Sequence, residues 1–147
     1  MRKRKKKSNL QKRKENENST YWGTKALKLW REICLLKFNN KCLICNTTEQ
    51  LEAHHPISKK TCKSLTYNTT NQILLCSKHH NWFGTEEHTF SAHKAPLQFY
   101  DYLKEHYPNI YFDIWAIDIE AEKQKEFTTK EYYEELEKVK KGLETTG

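Results

Sequence analysis

The chain has 147 residues, of which 36% are hydrophobic and 31% are charged. This length accommodates one domain with tails and excludes two full-sized domains, and no segment approaches the ~18 consecutive apolar residues of a membrane helix. Residues 1–14 carry nine Lys or Arg and no acid, whereas the remainder carries 17 basic and 19 acidic residues. Composition therefore predicts a soluble protein without a membrane partner, in which a polyanion-binding arm precedes a near-neutral body.

Residues 1–20 have the composition of a disordered basic arm. They hold one leucine within a dense run of Lys, Arg, Asn and Glu, which buries too little apolar surface to compensate for chain entropy. No apolar stretch typical of a secretory signal follows the charged start, so we expect an intracellular, cytoplasmic protein. The run RKRKKK is typical both of nucleic-acid contact and of nuclear localisation.

The body, residues 21–108, is predicted to begin with an amphipathic helix. Its apolar residues recur at spacings of three and four over residues 24–38. Turn-forming residues then surround two short apolar runs, which predict strands at 51–53 and 73–75 joined by a long loop. A short helix is expected at 79–83.

A further helix and a C-terminal extension complete the predicted organisation. The helix begins at Pro96 and ends before Pro108, because proline is tolerated in a first helical turn and not within a helix. The extension, residues 109–147, is predicted to hold an extended segment at 110–115. A helix follows, from a capping-box pattern at Thr128 to about Leu143. The fold class is therefore α+β.

A pair of cysteines and a cysteine–histidine pair together predict a structural zinc site. Cys42 and Cys45 are separated by two residues, and so are Cys76 and His79. Two ligands at this spacing on a tight turn can reach the same tetrahedral metal, and zinc prefers thiolate and imidazole donors. The 30 residues between Cys45 and Cys76 exceed the spacing of a compact zinc ribbon, so an insertion separates the two zinc knuckles.

The other two cysteines are predicted not to bind the metal. Cys34 lies on the apolar face of the first predicted helix and is expected to be a core residue. Cys62 lies in the loop without a paired cysteine. If His79 is not a ligand, Cys62 is the next candidate for the fourth position.

Two adjacent histidine pairs predict a second metal centre. His54 and His55 precede Pro56, and side chains of neighbouring strand residues point to opposite faces unless the chain bends. On a helix, His79 and His80 diverge by about 100° around the axis. One histidine of the second pair can therefore face the zinc while the other faces a different site.

These segments together resemble the HNH endonuclease family, and in particular its zinc-knuckle, phage-type members. CLIC, LEAHHP, the asparagine that begins NQILLC five residues before its cysteine, and CSKHH occur in the family's order over residues 42–83. The resemblance implies a ββα-metal core with two zinc knuckles. It also implies hydrolysis of DNA phosphodiester bonds with one catalytic divalent cation, leaving 5′-phosphate and 3′-hydroxyl ends.

The same resemblance implies roles for single residues. His55 corresponds to the general base, His54 and His80 to ligands of the catalytic cation, and Asn71 to the residue that orients the base or its loop. A neutral histidine suits proton abstraction at cellular pH. The structural zinc ligands correspond to Cys42, Cys45, Cys76 and His79.

Two departures from the family pattern bear on the cation. His54 occupies a position at which many members have aspartate, and His79 one at which cysteine is more usual. An imidazole at the catalytic cation shifts preference from Mg²⁺ towards Mn²⁺, Ni²⁺ or Zn²⁺.

Further residues after the second knuckle have weaker signals. His88 and His93 are candidates for an additional ligand or a phosphate contact. The nearby aromatic residues are expected in the core rather than stacked on bases; they are Trp82, Phe83, Phe90 and Phe99.

DNA, as duplex or structured DNA, is the expected partner. Two alternatives to an HNH nuclease remain open at the level of sequence. One is a non-catalytic zinc-binding nucleic-acid module. The other is an accessory subunit of a phage DNA-processing machine, with packaging or recombination proteins as partners.

Overall fold

A computed structural model describes residues 3–58, 63–123 and 125–145, and Cys62 therefore lies outside the described residues. The fold combines helices with one small sheet, which confirms the predicted α+β class. Its elements are α1 Asn9–Glu15, α2 Thr20–Lys37, β1 Leu51–His54, α3 Lys63–Tyr67, β2 Ile73–Cys76, α4 Ser77–His80, α5 Pro96–His106, α6 Pro108–Glu120, a 3-10 turn Ala121–Lys123, and α7 Thr129–Thr145.

The sheet has two antiparallel strands, as the two apolar runs predict. Leu51 pairs with Cys76 and His54 with Ile73, so β1 and β2 are in register along their whole length. All four residues of β2 are buried. The connection between the strands, for which the sequence predicts a long loop, contains α3, and α4 follows β2 without a break, so the element order at this point is strand, helix, strand, helix.

A first hydrophobic core lies around the sheet and α5. Phe99 and Leu103 of α5 are buried against Ile73 and Leu75 of β2. Cys42 and Ile44 of the first knuckle belong to the same cluster. The turn that carries Cys42 and Cys45 is therefore part of this core rather than an appended loop.

A second core lies between α2 and α7. Trp30 and Ile33 of α2 are fully buried, and Leu136 of α7 packs on them. The capping box expected at the start of α7 is present: the Thr128 N–H donates to Glu131 over 3.1 Å, and the Glu131 N–H donates to the Thr128 hydroxyl over 3.2 Å. The predicted C-terminal helix is confirmed.

The basic arm differs from the expectation of disorder, because it contains the helix α1. Ser8 and Gln11 form a reciprocal capping box, in which the Gln11 N–H donates to Ser8 Oγ over 3.2 Å and the Ser8 N–H donates to Gln11 Oε1 over 2.9 Å. No residue of α1 is buried. Local hydrogen bonds form this helix without the apolar burial on which the composition argument depended.

The segment predicted to be extended at 110–115 is helical and belongs to α6. Pro108 ends α5 and occupies the first turn of α6. Apolar residues fill so many positions of this segment that a period of two and a helical period both fit it. Packing of α6 on α5, which buries Ile114, selects the helix.

Two smaller expectations also change. The helix predicted at 79–83 ends at His80, so Trp82 and Phe83 lie outside it and are 61% and 74% exposed. They are not core residues, whereas Phe99 is. None of the described helices is long and apolar enough to cross a membrane.

Candidate metal centres and catalytic cleft

The four predicted zinc ligands lie together. One donor atom from each of them falls within 4.8 Å of every other; the residues are Cys42, Cys45, Cys76 and His79. Cys45 Sγ lies 3.7 Å from Cys76 Sγ, and His79 Nδ1 lies 3.3 Å from Cys76 Sγ. A tetrahedron with Zn–S bonds of ~2.3 Å has S···S edges of ~3.8 Å, so these side chains fit a zinc ion.

The backbone arranges this cluster through a tight turn and a helix start. The Cys42 N–H donates to the Thr47 carbonyl over 2.9 Å, and the Asn46 N–H donates to the Cys42 carbonyl over 2.9 Å. Asn46 has a left-handed φ of 62°, which asparagine tolerates better than most residues. These bonds direct both thiols of the first knuckle towards the start of α4.

A backbone carbonyl fixes the orientation of His79. Its Nε2 donates to the His88 carbonyl over 3.2 Å, which leaves Nδ1 facing the thiols. Zinc-binding histidines commonly donate their other ring nitrogen to an oxygen in this way. His79 therefore has both the position and the ring orientation of a ligand.

Two thiols of this cluster differ in how readily they lose a proton. Burial alone would raise the pKa of Cys42, but hydrogen bonds with His79 and with backbone N–H groups lower that pKa to about 6. Burial raises the pKa of Cys76 to about 12. The thiolate form is thus favoured at Cys42 and disfavoured at Cys76. A divalent cation would stabilise both thiolates by neutralising their charge.

A second cluster consists of three histidines. His54 ends β1, His80 ends α4 and His93 lies in the loop before α5, and one ring nitrogen of each falls within 4.8 Å of the others. His80 Nε2 and His93 Nε2 are 3.1 Å apart. The predicted pair of ligands is therefore joined by His93, one of the two weaker candidates.

His88, the other weak candidate, does not join the three histidines. Its ring packs beside Phe90 and Tyr102, and its carbonyl accepts the hydrogen bond from His79. His88 is therefore placed to support the zinc cluster through its backbone.

Glu52 fixes the orientation of His80. Its Oε2 atom accepts a hydrogen bond from His80 Nδ1 over 2.8 Å, which directs Nε2 towards His93. Sequence reasoning missed Glu52, although a signal existed: residues two apart on a strand share a face, and Glu52 is two residues before His54. A carboxylate behind a histidine ligand also raises its basicity.

His54 is the most buried of the three rings, at 6% exposure. Burial lowers its pKa to about 3, with further lowering by the charges of His80 and His93. Its Nε2 lies 3.2 Å from the hydroxyl of Tyr100. Burial also lowers the pKa of His93. Neutral imidazoles are the form that binds metal ions, so these donors fit a divalent cation.

His55 is not a member of this cluster and stacks on α2. Its ring lies parallel to Trp30 at a centroid distance of 3.7 Å, and its Nε2 lies 2.9 Å from the Thr66 carbonyl oxygen. A carbonyl only accepts, so Nε2 carries the hydrogen and Nδ1 of the neutral ring carries the lone pair. The two adjacent histidines thus have different surroundings, as the strand argument predicts.

Asn71 organises the loop behind His55. Its Oδ1 accepts from the Ile57 N–H over 2.9 Å, and its Nδ2 donates to the carbonyls of Ile57 and Leu65 over 3.0 and 2.9 Å. The fully buried amide thereby joins the segment after His55 to α3. The oxygen that accepts from the His55 ring is the Thr66 carbonyl, one residue beyond Leu65.

All of these histidines except His79 and His88 open onto one cleft of about 590 Å³. Its lining includes Trp30, Arg31, His54, His55, His80, His93 and Tyr100. Arg31 is exposed and contributes a positive charge to the cleft. Nothing in the sequence pattern singled out Arg31, because only the packing of α2 beside the sheet brings it here.

Cys34 has the core role expected from its place on the helix face. It is fully buried in α2, and burial raises the pKa of its thiol to about 12. It is not a member of either metal-binding cluster among the described residues.

Comparisons with known proteins add no relative to this picture. No protein-family model matches the chain, and no curated protein or solved structure matches it. The chemistry of the cleft is therefore inferred from its donor atoms and their surroundings.

Proposed function

We propose that this protein is an HNH-type endonuclease that hydrolyses DNA phosphodiester bonds with a histidine base and one divalent cation. The observation that carries the proposal is the shared cleft: His55 and the cluster of His54, His80 and His93 line the same cavity. The antiparallel pair of β1 and β2 followed at once by α4 is similar to a ββα core, with α3 inserted in the connection between the strands, and supports the same assignment.

His55 is the proposed general base. Hydrolysis needs a group that removes a proton from water, and Nδ1 of His55 has the lone pair for this task. Once Nδ1 is protonated, the hydrogen bond from Nε2 to the Thr66 carbonyl stabilises the positive ring. The parallel face of Trp30 also attracts that charge and holds the plane of the ring.

His54, His80 and His93 would hold the catalytic cation. When bound, such a cation neutralises charge on the phosphate and on the departing 3′ oxygen. Three imidazoles without a direct carboxylate favour Mn²⁺, Ni²⁺ or Zn²⁺ over Mg²⁺. In the overall step the oxygen of water bonds to phosphorus, the bond from phosphorus to the 3′ oxygen breaks, and His55 takes one proton from the water. The departing 3′ oxygen takes a proton from the solvent and leaves as a hydroxyl, and His55 then returns its proton to the solvent.

The zinc cluster supports this site through α4. His79 faces the thiols, while its neighbour His80 faces Glu52 and His93. A helix of four residues does not persist alone in water, because a helical nucleus is costly. A zinc ion bound to Cys76 and His79 would therefore hold α4, and with it His80, in place.

Arg31 and the basic arm are the proposed sources of attraction for the DNA backbone. Arg31 lies in the cleft, and the arm carries nine of the chain's 26 basic residues. Phosphate contacts of this kind position DNA without specifying its sequence. The rival function is a non-catalytic zinc module or an accessory subunit of a DNA-processing machine, which would use the same charges for binding alone.

Cleavage of supercoiled plasmid tests the proposal. The zinc-loaded protein should nick the plasmid when Mn²⁺, Ni²⁺, Mg²⁺ or additional Zn²⁺ is supplied, with Mg²⁺ the weakest. His55→Ala should lower the rate by about 10²–10⁴-fold while zinc content and DNA affinity stay unchanged. His106→Ala, at the exposed end of α5, is the matched control and should cleave like wild type.

Two results would contradict this function. If neither the plasmid nor DNA with an unpaired segment is cleaved with any of the four cations, the protein is a non-catalytic module rather than a nuclease. Equal rates for His55→Ala and wild type would remove His55 from the base role.

A further inference from the structure

A second, smaller pocket adjoins the catalytic cleft. It has a volume of about 220 Å³ and shares Pro56 and Tyr100 with the cleft. The Tyr100 hydroxyl lies 3.2 Å from His54 Nε2 and 3.4 Å from the Pro56 carbonyl oxygen. One tyrosine side chain therefore separates the pocket from the histidine cluster.

The walls of this pocket are apolar and aromatic. Leu103 and Ile114 are buried residues, and the rings of Tyr111 and Trp115 also line the pocket. Trp115 is 57% exposed, an unusual state for the largest apolar side chain. A flat group with an aromatic face fits such walls, because base–aromatic stacking is favourable for every base.

One charged group, Asp118, lines the pocket among the described residues. Within the part of the chain that the structure describes, its carboxylate forms no ion pair. A carboxylate repels a phosphate but accepts hydrogen bonds from an amino group, and Asp or Glu accepts in this way from cytosine N4. The pocket therefore suits a base rather than a backbone phosphate.

We propose that this pocket binds an unpaired nucleobase bearing an exocyclic amino group, cytosine above thymine, beside the phosphate held in the histidine cleft. The substrate class is then DNA with an unpaired nucleotide at the cleavage site, because a base within a paired stack cannot enter a side pocket. This inference rests on the proposed nuclease function. Tyr100 lines both the cleft and the pocket, so a DNA strand that crosses the cleft must also pass the pocket. This position favours a base over a protein side chain as the occupant.

Binding of single-stranded DNA tests the pocket without requiring cleavage. The probes are oligodeoxycytidine and oligothymidine of equal length, measured by fluorescence anisotropy on zinc-loaded protein without added divalent cation. The wild type should bind oligodeoxycytidine more tightly. Trp115→Ala should weaken binding of both by about 5- to 150-fold, the range of one lost stacking contact.

Asp118 determines the preference between the two oligonucleotides. Asp118→Ala should abolish the difference between cytosine and thymine, whatever its effect on overall affinity. Asp113→Ala removes an equal charge from the same helix outside the pocket and should keep the difference. Phe112→Ala, also exposed on α6, is the control for Trp115→Ala and should bind like wild type.

The outcomes separate this inference from the nuclease proposal. The proposed base pocket is wrong if Trp115→Ala binds DNA with wild-type affinity, or if Asp118→Ala still prefers oligodeoxycytidine over oligothymidine. The pocket would then suit an apolar partner instead. Plasmid cleavage that needs His55 remains informative in that case. If the binding pattern holds and no DNA is cleaved, the pocket stands and the nuclease function fails. Trp115→Phe, which keeps an aromatic face, should recover part of the affinity and would expose a loss due to misfolding.

Discussion

At the scale of single residues, neighbouring histidines take separate roles because of where each ring is held. His54 ends a strand and faces two other histidines, whereas His55 stacks on Trp30 outside the strand. His79 and His80 diverge in the same way on α4. Apart from His79, these four rings nevertheless line one cleft, and in the proposed function His55 is the base while the other histidines of the cleft hold the cation.

Removal of His93 tests whether the catalytic site has three ligands. His93→Ala should lower the affinity for Mn²⁺ by at least about 10-fold. Even the loss of a group that only hydrogen-bonds to a metal ligand lowers affinity by about 10- to 100-fold, and His93 is proposed as a direct ligand. Calorimetric titration of zinc-loaded protein with Mn²⁺ measures this. His106→Ala should titrate like wild type. Unchanged affinity in His93→Ala would reduce the site to His54 and His80.

The buried thiol of Cys34 predicts a loss of stability at alkaline pH. Its pKa rises from an ordinary value of 9.0 to about 12 because burial disfavours the thiolate. As pH rises, the unfolded chain therefore releases this proton before the folded chain does. The contribution of the Cys34 thiol to the free energy of unfolding is complete below pH 9 and is lost as pH rises towards 12. The slope is about 1.4 kcal/mol per pH unit.

Urea unfolding between pH 9 and pH 12 measures this contribution. Cys34→Ala should show a shallower fall in the free energy of unfolding than wild type over this interval, even if its stability at lower pH differs. Parallel curves for the two proteins would show that ionisation of Cys34 does not limit alkaline stability.

At the scale of elements, short pieces of structure depend on their neighbours. β1, β2 and α4 have four residues each, too few to persist alone. The zinc cluster joins the turn before β1 to the junction of β2 and α4. The histidine cleft is built on these same elements, so a zinc ion bound at the cluster would be coupled to the cleft through the fold.

Loss of a zinc ligand should unfold this region. Structural zinc sites contribute about 10–16 kcal/mol of apparent binding energy, which is comparable to the ~5–15 kcal/mol stability of a whole domain. Cys42→Ser and Cys76→Ser should lose zinc, melt at a lower temperature and no longer cleave DNA. Removal of zinc from the wild type with a chelator should have the same effects. Cys34→Ala should retain one zinc per chain. Protein purified without chelator that contains no zinc by elemental analysis would refute the site.

At the scale of the whole molecule, charge is divided between the arm and the body. Residues 1–14 are strongly basic, and the rest of the chain carries a small excess of acid. The arm is attached through α1, since the indole N–H of Trp22 donates to the Lys14 carbonyl over 2.9 Å. Its positive charges thus extend from a defined point beside α2.

Deletion of residues 1–14 should weaken DNA binding and leave turnover at saturation unchanged. Each lost phosphate contact lowers the slope of log affinity against log salt by about 0.9 on duplex DNA, so a decrease of several units is expected. Sequence preference should not change. A salt titration of full-length and truncated protein measures both. Identical slopes would make the arm a solubilising or targeting tail.

The sequence alone determined the features that depend on short spacings. Each two-residue knuckle, the amphipathic helix α2, both strands and the capped helix α7 follow from residues that are close together in the sequence. The divergence of adjacent histidines follows from the geometry of strands and helices. These inferences succeed because local geometry limits where such side chains can point.

Only the tertiary structure decided which distant groups complete the site. His93 joins His54 from 39 positions away along the chain, the Thr66 carbonyl lies within hydrogen-bond distance of the His55 ring, and Arg31 reaches the cleft from α2. Packing on α5 likewise decided that α6 is a helix. These contacts form between segments that local periodicity does not relate, so they depend on how the cores pack rather than on any short pattern.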